Sequence, residues 1–125
     1  MSVIAKLLMA ALAALHGYFL YLEMFTWTSA RTIAAFGMTT EFAEASKVLA
    51  ANQGLYNGFL AAGMVWSVFA PAVLTRSLGL FFAGCALVAG MYGGVTGPDR
   101  IFLVQALPAA LTLAAIYASA RPKLR

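Results

Sequence analysis

Four apolar runs recur along the chain, separated by short polar breaks. Val3 to Thr26 is interrupted only by Lys6, His16 and Glu23. Val48 to Leu74, Leu78 to Val95 and Ile101 to Ala118 carry no charged residue. A helix that crosses a bilayer needs about 20 mostly apolar residues. Inside lipid each backbone N–H and C=O must find its partner within the segment, so such runs predict helices. Phe36-Gly37 predicts a helix end, and Thr40 followed by Glu41 a helix start. The pattern therefore predicts helices over residues 3–36, 41–73, 77–96 and 98–119. The first two meet in a tight turn at Gly37 to Thr39. At 1.5 Å per residue each is roughly 50 Å long, so the tip of this hairpin is expected to project from the membrane. Turns are expected at Thr75-Arg76-Ser77 and Gly97-Pro98-Asp99, with Pro98 in the first turn of the last helix and Pro108 kinking it. The predicted fold class is all-α, a single four-transmembrane-helix bundle.

Composition agrees with that class. Of 125 residues, 63% are hydrophobic and 10% charged, whereas a soluble domain is nearer one half and one quarter. The N-terminal Lys6 and following apolar stretch resemble a signal peptide, but the run continues past Tyr18 and predicts an uncleaved first helix. Lys6, Arg76, Arg121, Lys123 and Arg125 fall on the side of the termini, against Arg31, Lys47 and Arg100 on the other. This bias predicts cytoplasmic termini in the cell inner (plasma) membrane. The net charge of +4 sits at segment ends. It forms no basic face of the kind nucleic acid requires, so no nucleic-acid partner is expected. Cys85 is single and lies in an apolar run, which suits packing. One Cys with one His gives no standard zinc site, and no metal is expected.

Candidate chemistry concentrates on the first two helices. His16, Leu20, Glu23, Trp27 and Arg31 share one face of helix one. An ionisable side chain at membrane depth is costly and marks a functional site. Helix two carries Asn52, Gln53, Tyr56 and Asn57 as one polar sector, beside a small-residue line of Gly54, Gly58 and Ala62. In the expected hairpin Glu23 lies level with Gln53. Its carboxyl is then expected to bond Asn52, Gln53 or Tyr56, with His16 one turn deeper. Tyr92 and Gln105 are expected to join the same outer-half pocket, with Phe19, Leu20 and Phe59 as its apolar wall.

Over nearly the whole chain, ANQGLYNGFLAAG with LEMFTW, EFAEASKVLAANQG and VQALP resembles the domain-of-unknown-function family numbered 1304. That resemblance implies four spans and no particular activity. Ala51 to Gly58 also resembles, with a one-residue slip, a stretch of styrene oxide isomerase, a small four-helix membrane protein that uses haem between subunits. Asn52 stands where that family has its haem-ligating His, which leaves the cofactor open with haem as one candidate.

The expected function is a membrane-embedded, isomerase-like enzyme acting on a small lipophilic ligand. Glu23 serves as general acid or base, and His16 as a second proton carrier or a ligand. Asn52, Gln53, Asn57 and Tyr56 polarise a substrate oxygen, and Trp27, Tyr92 and Gln105 complete the binding set. The first alternative is a small homo-oligomeric proton-coupled transporter, since small four-helix transporters of that type also carry one embedded Glu on helix one. The second is a non-catalytic assembly subunit. Nearly all-apolar cytoplasmic halves speak against transport. A chain this small is expected to work as a homo-oligomer in the lipid bilayer, with Gly54/Gly58 or Gly90/Gly94 at the seam.

Overall fold

The computed structural model describes residues 1–119, and among these the regular structure is entirely helical. The order is α1 (Val3–Phe25), α2 (Ala30–Phe36), α3 (Thr40–Phe69) and α4 (Ala72–Thr96), then a π-helical turn (Phe102–Ala106) leading into α5 (Leu107–Ala118). Arg121, Lys123 and Arg125, which bear on the expected orientation, lie outside the described residues.

The expected helix over 3–36 is broken in two. Thr26 Oγ1 donates to the Leu22 carbonyl at 3.3 Å and lies 3.1 Å from Thr32 Oγ1. Ser29 is extended (φ −73°, ψ 146°), and its Oγ accepts from the Thr32 backbone N–H. Ser and Thr hydroxyls that bond nearby backbone groups compete with the helix ladder, and here they end one helix and cap the next. Gly37 then closes α2 in the left-handed region (φ 65°, ψ 33°). Met38 N–H reaches Ile33 O at 3.0 Å and Gly37 N–H reaches Ala34 O at 3.3 Å, the paired bonds of a Schellman ending. Thr39 Oγ1 accepts from Phe42 N–H at 3.1 Å and caps α3.

The next break falls at Ala70-Pro71 rather than at residues 75–77. Proline has no N–H to continue α3, and the residue before it is pushed out of the helical region. Thr75, Arg76 and Ser77 are accordingly helical, near the start of α4. The kink expected at Pro108 takes the form of the π-helical turn just ahead of it. Leu107 N–H bonds Phe102 O, five residues back. Pro108 cannot bond the carbonyl four residues back, and the wider turn ends at that point.

Two of these helices, α1 and α4, are long and apolar enough to cross a membrane, where the apolar pattern predicts four. Phe102–Ala118 is apolar but shorter. In α3, Glu41, Glu44 and Lys47 fill the first turns and three amides follow, which dilutes an otherwise apolar helix.

The chain forms two compact units: Met1–Ala13 together with the part from Ala62 onward, and Ala14–Ala61. In the first, small residues let helices approach closely. A Cβ on Gly90 would lie 2.6 Å from Ala106 N, and one on Gly94 would lie 2.7 Å from the Phe102 ring. Met9, Met64, Ala83, Ala86, Ala109 and Ile116 are buried. Ser2 N–H donates to Ser119 Oγ at 3.0 Å, tying the start of α1 to the end of α5.

Arg76 donates to the carbonyls of Ile116 and Ser119 and lies 5.7 Å from the Tyr117 ring centre. A cation bonded to the last carbonyls of a helix satisfies groups that the helix itself leaves open. We therefore expect Arg76→Gln to cost about 1–2 kcal/mol in thermal unfolding followed by circular dichroism in detergent. An unchanged transition would mean this cap contributes nothing.

Candidate functional site

The site lies in the second unit, where α1 from Ala14 onward meets α3 up to Ala61. Close approach is set by Gly54 and Gly58. A Cβ on Gly54 would fall 2.6 Å from Met24 Cγ and 3.0 Å from Glu23 Cβ, and one on Gly58 would fall 2.5 Å from Leu20 Cδ1. The expected small-residue line is real, but it receives α1 of the same chain. The Gly90/Gly94 line likewise receives Ala106 and Phe102. Neither is left open as an oligomer seam.

Glu23 is half-buried, and its Oε2 accepts from Asn57 Nδ2 at 2.8 Å. The same amide nitrogen lies 3.3 Å from the Gln53 carbonyl, which fixes the Asn57 side chain along its own helix. This corrects the expected partner, Asn52, Gln53 or Tyr56. Side chains on a helix lean toward its N-terminus. In an antiparallel pair Glu23 therefore leans toward higher numbers on α3, while Asn57 leans back toward lower ones. Together they close a gap of one turn that a level pairing of Glu23 with Gln53 overlooks.

Beside this pair is an open cleft of about 470 Å³. Its polar wall is Glu23, Trp27, Thr28, Lys47 and Asn52. Its apolar wall is Met24, Phe25, Val48, Ala51 and Leu55, in place of the expected Phe19, Leu20 and Phe59. Trp27 is held rigidly: its Nε1–H donates to Ser46 Oγ at 3.0 Å, and its ring lies 5.2 Å from Phe36. Asn52 lines the cleft while giving one amide N–H to Val48 O at 3.1 Å. Lys47 pairs with Glu44 at 2.9 Å, with both side chains more than half exposed.

The other expected residues fall elsewhere. Gln53 and Tyr56 do not line the cleft, and Tyr56 packs on Phe59 at 6.2 Å between ring centres. His16 is fully buried, edge-on to Phe19 at 5.7 Å, and is not among the lining residues. Tyr92 and Gln105 belong to the first unit. There Tyr92 borders a separate apolar hollow of about 740 Å³ with Phe81, Cys85 and Val88. Lys47 and Thr28 are site residues that the sequence reading does not single out. Lys47, Ala51 and Leu55 recur every four residues, and that spacing is the available signal.

Among the described residues no three His, Cys, Asp or Glu side chains come together as a metal set. Haem takes an axial His, Cys, Met or Tyr. The cleft has no His, Cys or Tyr, its one Met packs against Gly54, and Asn52 has given an N–H to Val48. The residues of this cleft do not fit haem.

The family described as "Protein of unknown function (DUF1304)" matches residues 10–117. The uncharacterized protein YpaA of Lactococcus lactis subsp. lactis (strain IL1403) is 33% identical over 115 residues, which cover 90% of this chain and 96% of that protein. No solved structure matches the chain.

Proposed function

The chain belongs to the DUF1304 family, and from that premise we propose that it is a membrane-embedded, isomerase-like enzyme that shifts a proton within a small lipophilic molecule. The observation that carries this reading is Glu23, anchored by Asn57 on one oxygen while it lines a mainly apolar cleft. Among the described residues Glu23 Oε1 accepts no hydrogen bond and is the oxygen left for a substrate proton. A carboxylate so placed takes a proton from one carbon and returns it to another, with no co-reactant consumed. The second N–H of Asn52 and the Thr28 hydroxyl supply the dipoles that polarise a substrate oxygen. Lipid and apolar side chains exclude water from the reacting atoms.

In this reading the chain crosses the plasma membrane four times with cytoplasmic termini. The spans are α1, α3 from Val48 onward, α4, and the π-helical turn with α5. Val48 to Phe69 carries no charge and is about 33 Å long at 1.5 Å per residue, enough for the hydrocarbon core. The proposed assembly is a homo-oligomer whose seam lies outside the two glycine lines already filled within the chain.

The reading can be tested before the substrate is identified. Protein released in mild detergent is held in deuterated buffer and examined by native mass spectrometry for retained small molecules. The expected result is a bound lipophilic compound that gains deuterium on the wild type and none on Glu23→Gln. A retained compound that never exchanges would favour transport. An absent compound would favour an assembly role, and either outcome overturns the enzyme reading.

A further inference from the structure

The cleft has direction. Lys47, Thr28 and Trp27 stand at one end, and Leu55 and Glu23 toward the other. A Cβ on Gly54 would lie 3.0 Å from Glu23 Cβ, so Glu23 sits level with Gly54, seven residues along α3 from Lys47. At 1.5 Å per residue that is about 10 Å along the helix axis. Between these points the α3 wall is Val48, Ala51 and Leu55, apolar except for Asn52. The volume, about 470 Å³, is within the range of single small-ligand sites.

We infer that the cleft takes a single-chain amphiphile whose anionic head pairs with Lys47 at the mouth and whose apolar body lies along Val48, Ala51 and Leu55 toward Glu23. This rests on the proposed reading of the cleft as a site for a small lipophilic molecule and names its class. The Lys47 ammonium has three donors, and its bond to Glu44 uses one. That pair is exposed and weak, so an arriving carboxylate or phosphate shares the ammonium at little cost. Trp27, fixed by Ser46 and Phe36, provides the amphipathic ring common at the level of lipid headgroups. A lipid-like molecule in the outer leaflet already has this orientation, head at the interface and chain inward. It would enter the cleft sideways without turning over. The head then sets which atom of the chain reaches Glu23, about 10 Å away along the helix.

The experiment uses the full chain in lipid nanodiscs with four ten-carbon probes: decanoate, decyl phosphate, decanol and decyltrimethylammonium. Binding is read from Trp27 fluorescence in a Trp66→Phe background, which leaves Trp27 as the one tryptophan. Decanoate or decyl phosphate is expected to bind about tenfold tighter than decanol, and the stronger of the two identifies the head as carboxylate or phosphate. Lys47→Gln should erase that preference, bringing decanoate and decyl phosphate to the affinity of decanol for the same variant, while Lys47→Arg should keep it. Equal binding of decanol, tighter binding of the cationic probe, or a preference that survives Lys47→Gln would overturn the inference. The outcome is separable from the proton-shift reading, because Glu23→Gln should keep the anionic preference while losing deuterium exchange.

Discussion

Gly90→Ala is expected to lower the unfolding temperature by roughly 10 °C, while Gly84→Ala on the same helix raises it slightly. The two substitutions add the same methyl group to the same type of backbone. On an exposed helix this change stabilises by about 0.5–1 kcal/mol, because alanine has less freedom to lose. At Gly84 nothing lies within 4 Å of the new Cβ, so that gain is kept. At Gly90 the new Cβ would stand 2.6 Å from Ala106 N, 2.9 Å from Ala106 Cα and 3.0 Å from Gln105 C. All three are backbone atoms of the π-helical turn, and none can rotate away as a side chain end would. The helix and the turn must separate, at a cost of about 2–3 kcal/mol once overpacking outweighs the propensity gain. Thermal unfolding of both variants in one detergent checks this. If Gly90→Ala proves neutral, α4 does not pack against that turn as described.

Asn57→Leu is expected to cost about 2–3 kcal/mol, and adding Glu23→Leu should restore most of it. Removing the Asn57 amide leaves a half-buried carboxyl without its donor, and the loss of a bond to such a group costs more than the bond contributes net. Replacing both partners with apolar groups of similar size removes the unsatisfied atom as well. The double variant should therefore be more stable than the sum of the singles predicts, with an interaction of about 1–2 kcal/mol. Strictly additive single and double variants would mean that Glu23 and Asn57 do not meet in solution. The double variant also separates stability from activity, since it should fold well and support no deuterium exchange.

Several features are legible in the chain. Gly37 followed by Thr39-Thr40-Glu41 marks the turn between α2 and α3, because only glycine adopts the left-handed position readily and threonine hydroxyls cap helices. Glu23 stands out as the acid inside an apolar run, and Asn57 as part of a polar sector facing it. The break at Ser29 and the stop at Pro71 are also written in local chemistry. The helix expected over 3–36 and the apolar run from Val48 to Leu74 pass over them all the same, because a hydropathy pattern has no sensitivity to a single hydroxyl or a missing N–H.

What the sequence determined by itself is therefore the helical class, the turn at Gly37, and four apolar runs, of which those in α1 and α4 are long and apolar enough as helices to cross a membrane. These follow from short-range rules: composition, backbone freedom and capping. Only the tertiary structure decided that Asn57 rather than Gln53 holds Glu23, that Lys47 enters the cleft, and that both glycine lines are filled by the chain's own helices. Those outcomes depend on how side chains lean across an antiparallel pair and on how closely two backbones approach. Both distances are set by contacts between residues far apart in sequence, where a change of one helical turn exchanges one partner for another.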